Sequence, residues 1–312
     1  MNRARAAALA LWLGPIALAA GGDIVADVRA ASADRNFALA EREIQSYRAT
    51  AGVTPEMIEA LSWLARGTLD DKQYDRADAY ATETRQMSLD LLKRVGKGDA
   101  ALVTALGAAI EVHAQALAAR GRRAEAVAYL KTETATWAGS PIAPRIQKNL
   151  NLLTLEGKPA PALDISRWLG TRPTSLAALK GHPVLLFFWA HWCGDCKAEV
   201  PILARLMATY GSRGLVLVGP TQLYGYTAAG DANSETEARY IDQVRRQFYA
   251  PLGSMSAPLS AENFQRYGCS TTPTLVLLDR GGIVRLYHPG AMTYDALAGQ
   301  VRRFLGAEGS HP

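Results

Sequence analysis

The stretch Phe188-Trp189-Ala190-His191-Trp192-Cys193-Gly194-Asp195-Cys196-Lys197 decides the fold. Before it, Pro183-Val-Leu-Leu-Phe-Phe-Trp189 is a continuous apolar run that reads as a buried strand, and after it the pattern from 194 to 210 reads as a helix. Cys193 therefore falls at a helix N-terminus, where unpaired backbone N–H groups and the positive end of the dipole favour a thiolate. Cys196 falls one turn further in, shielded and close enough to attack a mixed disulfide formed at Cys193. Half of a zinc site is the other reading of C-x-x-C. Zinc takes four ligands, and this chain has no second cysteine pair, while His191 sits on the strand side of the turn, so no metal is expected.

Working outward, the segment from Lys158 brings Pro159, Pro161, Gly170, Pro173 and Gly181 close together and then β-forming runs, which sets a domain boundary near 156. Strands are expected at 163–166, 183–189, 214–219, 274–278 and 283–288, and helices at 194–210, 234–249, 260–267 and 293–305. The order is β-α-β-α-β-β-α with an added N-terminal hairpin, an α/β sheet covered by helices.

Four motifs make this half resemble the thioredoxin-like TlpA/ResA family of extracytoplasmic thiol:disulfide oxidoreductases. They are Gly157-Lys-Pro-Ala-Pro161, Ser175-Leu-Ala-Ala-Leu-Lys-Gly181, Trp192-Cys-Gly-Asp-Cys-Lys197 with Glu199 and Pro201 behind it, and Tyr267-Gly-Cys-Ser-Thr-Thr-Pro-Thr274. The resemblance implies that Pro273 is cis and packs against the cysteine pair, and that Thr272 offers backbone hydrogen bonds to an extended substrate, with Trp192 beside it. Without the cysteines, Pro273 reads as an ordinary trans proline opening an edge strand.

Two departures bear on chemistry. Where thioredoxins bury an acid on the central strand, this chain has Phe187. The TlpA/ResA relatives place a glutamate in the Cys-Lys-x-Glu-x-Pro run for proton transfer, which carries that role to Glu199; the plain alternative is a solvated surface glutamate. Asp195, after Gly194, replaces the proline common before the second cysteine, and its charge opposes thiolate formation and makes the pair less oxidising. Cys269, four residues before Pro273, reads as an apolar filler or as a third redox thiol. The polar run Thr221–Ser234, with Tyr224 and Tyr226, reads as a solvated insertion or as the frame of a substrate groove.

Residues 34–155 follow another grammar, rich in Ala, Leu, Glu, Arg and Gln, with helices expected at 35–50, 55–69, 73–95, 99–120, 122–136 and 142–154. Leu64-Ala65 leading to Tyr74-Asp-Arg-Ala77 and Tyr80 is echoed 49 residues later by Ala114 and Ala118 leading to Arg123-Ala-Glu-Ala126 and Tyr129. Each unit resembles a tetratricopeptide-type hairpin, although the period is not the standard one; an ordinary five- or six-helix bundle is the alternative. No catalytic constellation is visible in this half.

Arg3 and Arg5 precede an uncharged apolar run, Ala6–Ala20, too short for a membrane helix and ending in small residues. Residues 1–20 read as a signal peptide, 21–33 as a linker, and the chain as periplasmic or secreted. A second small-residue site, Ala31-Ser-Ala33, lies far past that run. The 34 Lys and Arg against 29 Asp and Glu give a net charge of +5, and without Arg3 and Arg5 about +3, too little to argue for nucleic acid. Three cysteines are too few for a disulfide framework.

The function expected is reduction of disulfides in client proteins, with Cys193 attacking, Cys196 resolving, a membrane dithiol as electron donor and no cofactor. An adaptor, whose helical half recruits a protein partner and whose other half docks or delivers metal, is the alternative. A thiol peroxidase is disfavoured because Pro-x-x-x-Thr/Ser-x-x-Cys does not precede Cys193.

Overall fold

Alternation along one apolar strand organises the C-terminal half. In β2 (Val184–Phe188), Leu185 and Phe187 face one core and Val184, Leu186 and Phe188 face another, so both faces of the sheet are covered. The computed structural model describes residues 23–95 and 99–305; the expected leader, 1–20, lies outside them. The sheet is mixed. β2 pairs in parallel with β3 (Val216–Val218) and antiparallel with β7 (Thr274–Leu278), and β7 pairs antiparallel with β8 (Val284–Pro289). The helices α8 (Gly194–Tyr210), α9 (Ser234–Phe248) and α11 (Tyr294–Leu305) supply side chains to the Leu185/Phe187 face, and α10 (Ala261–Tyr267) packs Phe264 and Tyr267 on the other. This is a thioredoxin-like α/β domain.

The strand expected at 163–166 does not form. Buried Asn263 holds that segment through side-chain bonds instead, accepting from Asp164 N (2.7 Å) and donating to Asp164 O (2.8 Å), while Asp164 Oδ1 accepts from Ser166 N. A short strand follows, β1 (Trp168–Leu169), and pairs with β6 (Ala257–Pro258). The loop after β3 contains a small hairpin, β4 (Tyr226–Thr227) with β5 (Gly230–Asp231).

The N-terminal region is all helical: α1 (Ile24–Ala33), α2 (Phe37–Ala51), α3 (Pro55–Asp70), α4 (Tyr74–Val95), α5 (Ala100–Ala119), α6 (Arg123–Thr136) and α7 (Ala143–Thr154). The linker expected at 21–33 is corrected by α1. Asp23 caps it, accepting from Val25 N at 3.0 Å, and Ile24, Val28 and Ala31, at i, i+4 and i+7, form a buried stripe. Neighbouring helices pair in sequence, and α5 also packs on α3 and α7 on α5. By length and composition α5 could cross a membrane, yet 61% of its apolar window is buried in the bundle, as for a core helix.

Two contacts fasten the halves together. Asn151 Nδ2, on α7, donates to Arg266 O, on α10, at 3.5 Å. Helix α7 packs on α10 so closely that a Cβ on Gly268, which ends α10 at φ +62°, would lie 2.3 Å from Lys148 N. Only glycine fits that approach.

Candidate active site

Because β2 ends where α8 begins, the turn between them presents Cys193 as the N-cap of α8, its Sγ accepting from Cys196 N at 3.0 Å. The two cysteines form a disulfide with Cα atoms 5.3 Å apart. Both are buried, whereas Trp192 beside them is 49% exposed. When the disulfide is reduced, the same amide and the helix N-terminus stabilise a thiolate on Cys193. Gly194 and Asp195 lie exposed in the first turn of α8.

From the far side of the sequence, the loop before β7 reaches the same spot. The Thr272–Pro273 peptide is cis, and Thr272 O lies 3.5 Å from Cys193 Sγ. Thr272 Oγ1 is buried without a hydrogen-bond partner. The structure thus brings Trp192, Cys193, Thr272 and Pro273 together across 80 residues of sequence.

Beneath the pair, Phe187 is fully buried and contributes no polar atom. Glu199 lies one turn after Cys196 on α8, 1% exposed, and accepts one hydrogen bond from Met292 N at 3.2 Å, in the loop before α11. No cation pairs with it among the described residues. Burial, opposed only weakly by that bond, pushes its carboxyl above the ordinary range. Pro201, further along α8, removes an interior helix bond behind the site.

A second polar group beside the turn escaped the sequence reading. His191 and Glu237 are each 1% exposed, with His191 Nε2 3.4 Å from Glu237 Oε1. Glu237 accepts from Tyr224 N (2.5 Å) and Gly225 N (2.8 Å), so α9 pins the Tyr224–Tyr226 loop against the active-site turn. The rings of Tyr224, Tyr226 and Tyr240 surround His191 at 5.2–5.6 Å, and Tyr224 stands edge-on to Trp192 at 5.5 Å. Burial holds His191 below its usual range. Its only sequence signal was a polar residue at the buried end of an apolar strand.

Cys269 is a free thiol, fully enclosed, and burial pushes its pKa up. It belongs to the core on the opposite face of the sheet from Cys193 and Cys196.

Residues 157–287 match the AhpC/TSA family model. Among curated relatives, the thioredoxin-like protein YneN of Bacillus subtilis is 29% identical over 138 residues, 44% of this chain and 74% of that protein. The thiol-disulfide oxidoreductase ResA of Oceanobacillus iheyensis is 28% identical over 135 residues, 43% of this chain and 64% of that protein. The thiol:disulfide interchange protein DsbE of Xylella fastidiosa is 28% identical over 146 residues, 46% and 66%. The similarity therefore spans about two-thirds of the length of the last two, and the family-model match lies in the half that carries the cysteine pair.

Proposed function

With an AhpC/TSA-family thioredoxin-like domain homologous to ResA, DsbE and YneN as its C-terminal half, we propose that this protein reduces disulfides in client proteins outside the cytoplasm. The observation that carries the reading is Cys193 at the N-terminus of α8, facing the cis Thr272–Pro273 peptide. An extended client segment lies along the Thr272 backbone and the exposed Trp192 ring, which sets its disulfide against Cys193. The Cys193 thiolate attacks one client sulfur, forming a mixed disulfide as the other client sulfur leaves as thiolate. Cys196 then attacks Cys193 Sγ, the second client thiol departs, and the Cys193–Cys196 disulfide closes as two electrons pass to the client. A dithiol donor, membrane-borne in that compartment, returns the pair to its reduced form.

Resolution requires that Cys196 lose a proton in apolar surroundings. Glu199 is the carboxylate on its helical face, and its raised pKa suits a group that takes up and returns that proton. Asp195 adds a negative charge beside the pair and disfavours the thiolate, which keeps the pair reducing. Export is supported by the Arg-flanked apolar run Ala6–Ala20. An intact mass beginning at Ala20 or Gly21 is the expected result.

The reduction potential of the Cys193/Cys196 pair tests the direction of electron flow. A value near that of thioredoxin, about −270 mV, supports a reductant, and one near DsbA, about −120 mV, overturns it. Cys193→Ser is expected to lower client reduction by more than about 10⁴-fold; an adaptor would tolerate that change.

A further inference from the structure

The helical half carries a cleft of about 620 Å³ between α1 and α3, lined by Arg29, Ser32, Arg35, Trp63, Arg66 and Asp70 among others. Trp63 lies there with the Arg29 guanidinium 4.3 Å from the ring centroid and that of Arg66 4.8 Å from it. A guanidinium held over an aromatic ring keeps its N–H edge available for a carboxylate.

Those edges are short of partners. Arg29 makes no ion pair among the described residues. Arg66 Nη2 is buried without a hydrogen bond; its nearest acid, Glu111, stands 3.9 Å away and is already held by Arg145 Nε (2.6 Å) and Lys148 Nζ (2.7 Å). Burial outweighs the pull of Glu111, Asp70 and Glu59 and draws Arg66 below the ordinary arginine range. Ser32, 8% exposed on the facing side of α1, also has its hydroxyl unbonded. Two orphaned donors and an unpaired guanidinium in one cleft are an incomplete hydrogen-bond set, and buried donors left unmade are costly.

We propose that this cleft binds a carboxylate side chain presented by an acidic peptide segment of a partner protein. A planar carboxylate can accept from Arg66 and Ser32 together while Arg29 closes over it. The rim carries Asp70 and the Arg35–Asp71 pair, 3.4 Å apart, so the cleft is not a uniformly basic surface, and its charge is matched by one negative charge better than by a dianion such as phosphate. Ala26, Ala30 and Ala33 along the wall leave room for a peptide backbone to approach α1. The proposal is independent of the redox reading, and it gives the helical half a recruiting role.

The test is calorimetry at low salt on the full-length purified protein. The probes are a blocked pentapeptide with two glutamates, its glutamine counterpart and free glutarate. Binding of the glutamate peptide is expected, at least about tenfold tighter than either comparator, and about tenfold weaker in Arg66→Gln and in Arg29→Gln. Arg29 is exposed, so Arg29→Gln reports even if Arg66→Gln disturbs the fold. Reduction of a small-molecule disulfide stays unchanged in Arg29→Gln, which separates failure here from failure of the redox reading. No binding, equal binding of the two peptides, glutarate binding as tightly as the peptide, or binding that survives both substitutions would each overturn the proposal.

Discussion

Glu111 in the helical half, half-buried with its side chain 14% exposed, and Glu199 in the redox half, buried at 1%, are both carboxylates withdrawn from solvent, and their surroundings are opposites. Glu111 is met by Arg145 at 2.6 Å, Lys148 at 2.7 Å and Arg66 at 3.9 Å. Glu133 is treated alike, between Arg85 and the Trp137 indole, and Asp78 between His113 and Arg120. Glu199 has one backbone amide. A carboxylate closed inside a cation network ties helices together, whereas one left beside a cysteine pair with a single amide is poised to hold a proton. The difference separates charge used for architecture from charge kept for chemistry.

Removing each carboxylate sharpens that contrast. Glu111→Ala strands Arg145 and Lys148 and is expected to lower stability by about 3 kcal/mol, read by denaturant melts, while disulfide exchange in the surviving folded protein is unchanged. Equal stability would show that the network is not structural. Glu199→Gln should instead slow resolution of the mixed disulfide by about 10²-fold, or about 2.7 kcal/mol of barrier, and flatten its pH dependence in stopped-flow traces. An unaltered rate and profile would reduce Glu199 to packing.

The same variant has a stability signature of defined sign. The folded state raises the Glu199 pKa, so it holds the proton more tightly than the unfolded chain does. Its contribution is fully present below the unfolded value, about 4.3, and is lost as pH rises through the folded value. Melting curves of wild type should therefore lose stability over that interval relative to Glu199→Gln, and parallel curves would refute the assignment.

Gly268→Ala tests how independent the two regions are. The added methyl meets the Lys148 backbone at 2.3 Å and occupies a left-handed φ, so α7 must separate from α10. A loss of about 2 kcal/mol is expected, with thermal unfolding splitting towards two transitions. A single unshifted transition would mean that this contact does not couple the halves. The smallest effect concerns Cys269: in native reduced protein it should react with iodoacetamide far more slowly than Cys193, because burial raises its pKa and blocks access. Mass mapping that finds Cys269 in a trapped mixed disulfide would give it a redox role.

Much of this was legible in the chain itself. The apolar run into Cys193-Gly-Asp-Cys196 established strand, turn and helix because those signals are local, and the helical grammar of 34–155 is likewise local periodicity. Asp23 at the N-cap of the helix that carries Ile24, Val28 and Ala31 was also a readable helix start, hidden by its place between an apolar run and a polar stretch.

What only the tertiary structure decided are the encounters between residues far apart in sequence. Whether Glu199 was solvated or buried depended on α11 and its preceding loop covering it. The approach of His191 to Glu237, the side-chain tether at Asn263 that displaced a strand, and the glycine-tight seat of α7 on α10 each join segments tens to more than a hundred residues apart. Periodicity reports which face of an element is apolar; it does not report which element will cover that face, and on that depend burial, and through burial the protonation of Glu199.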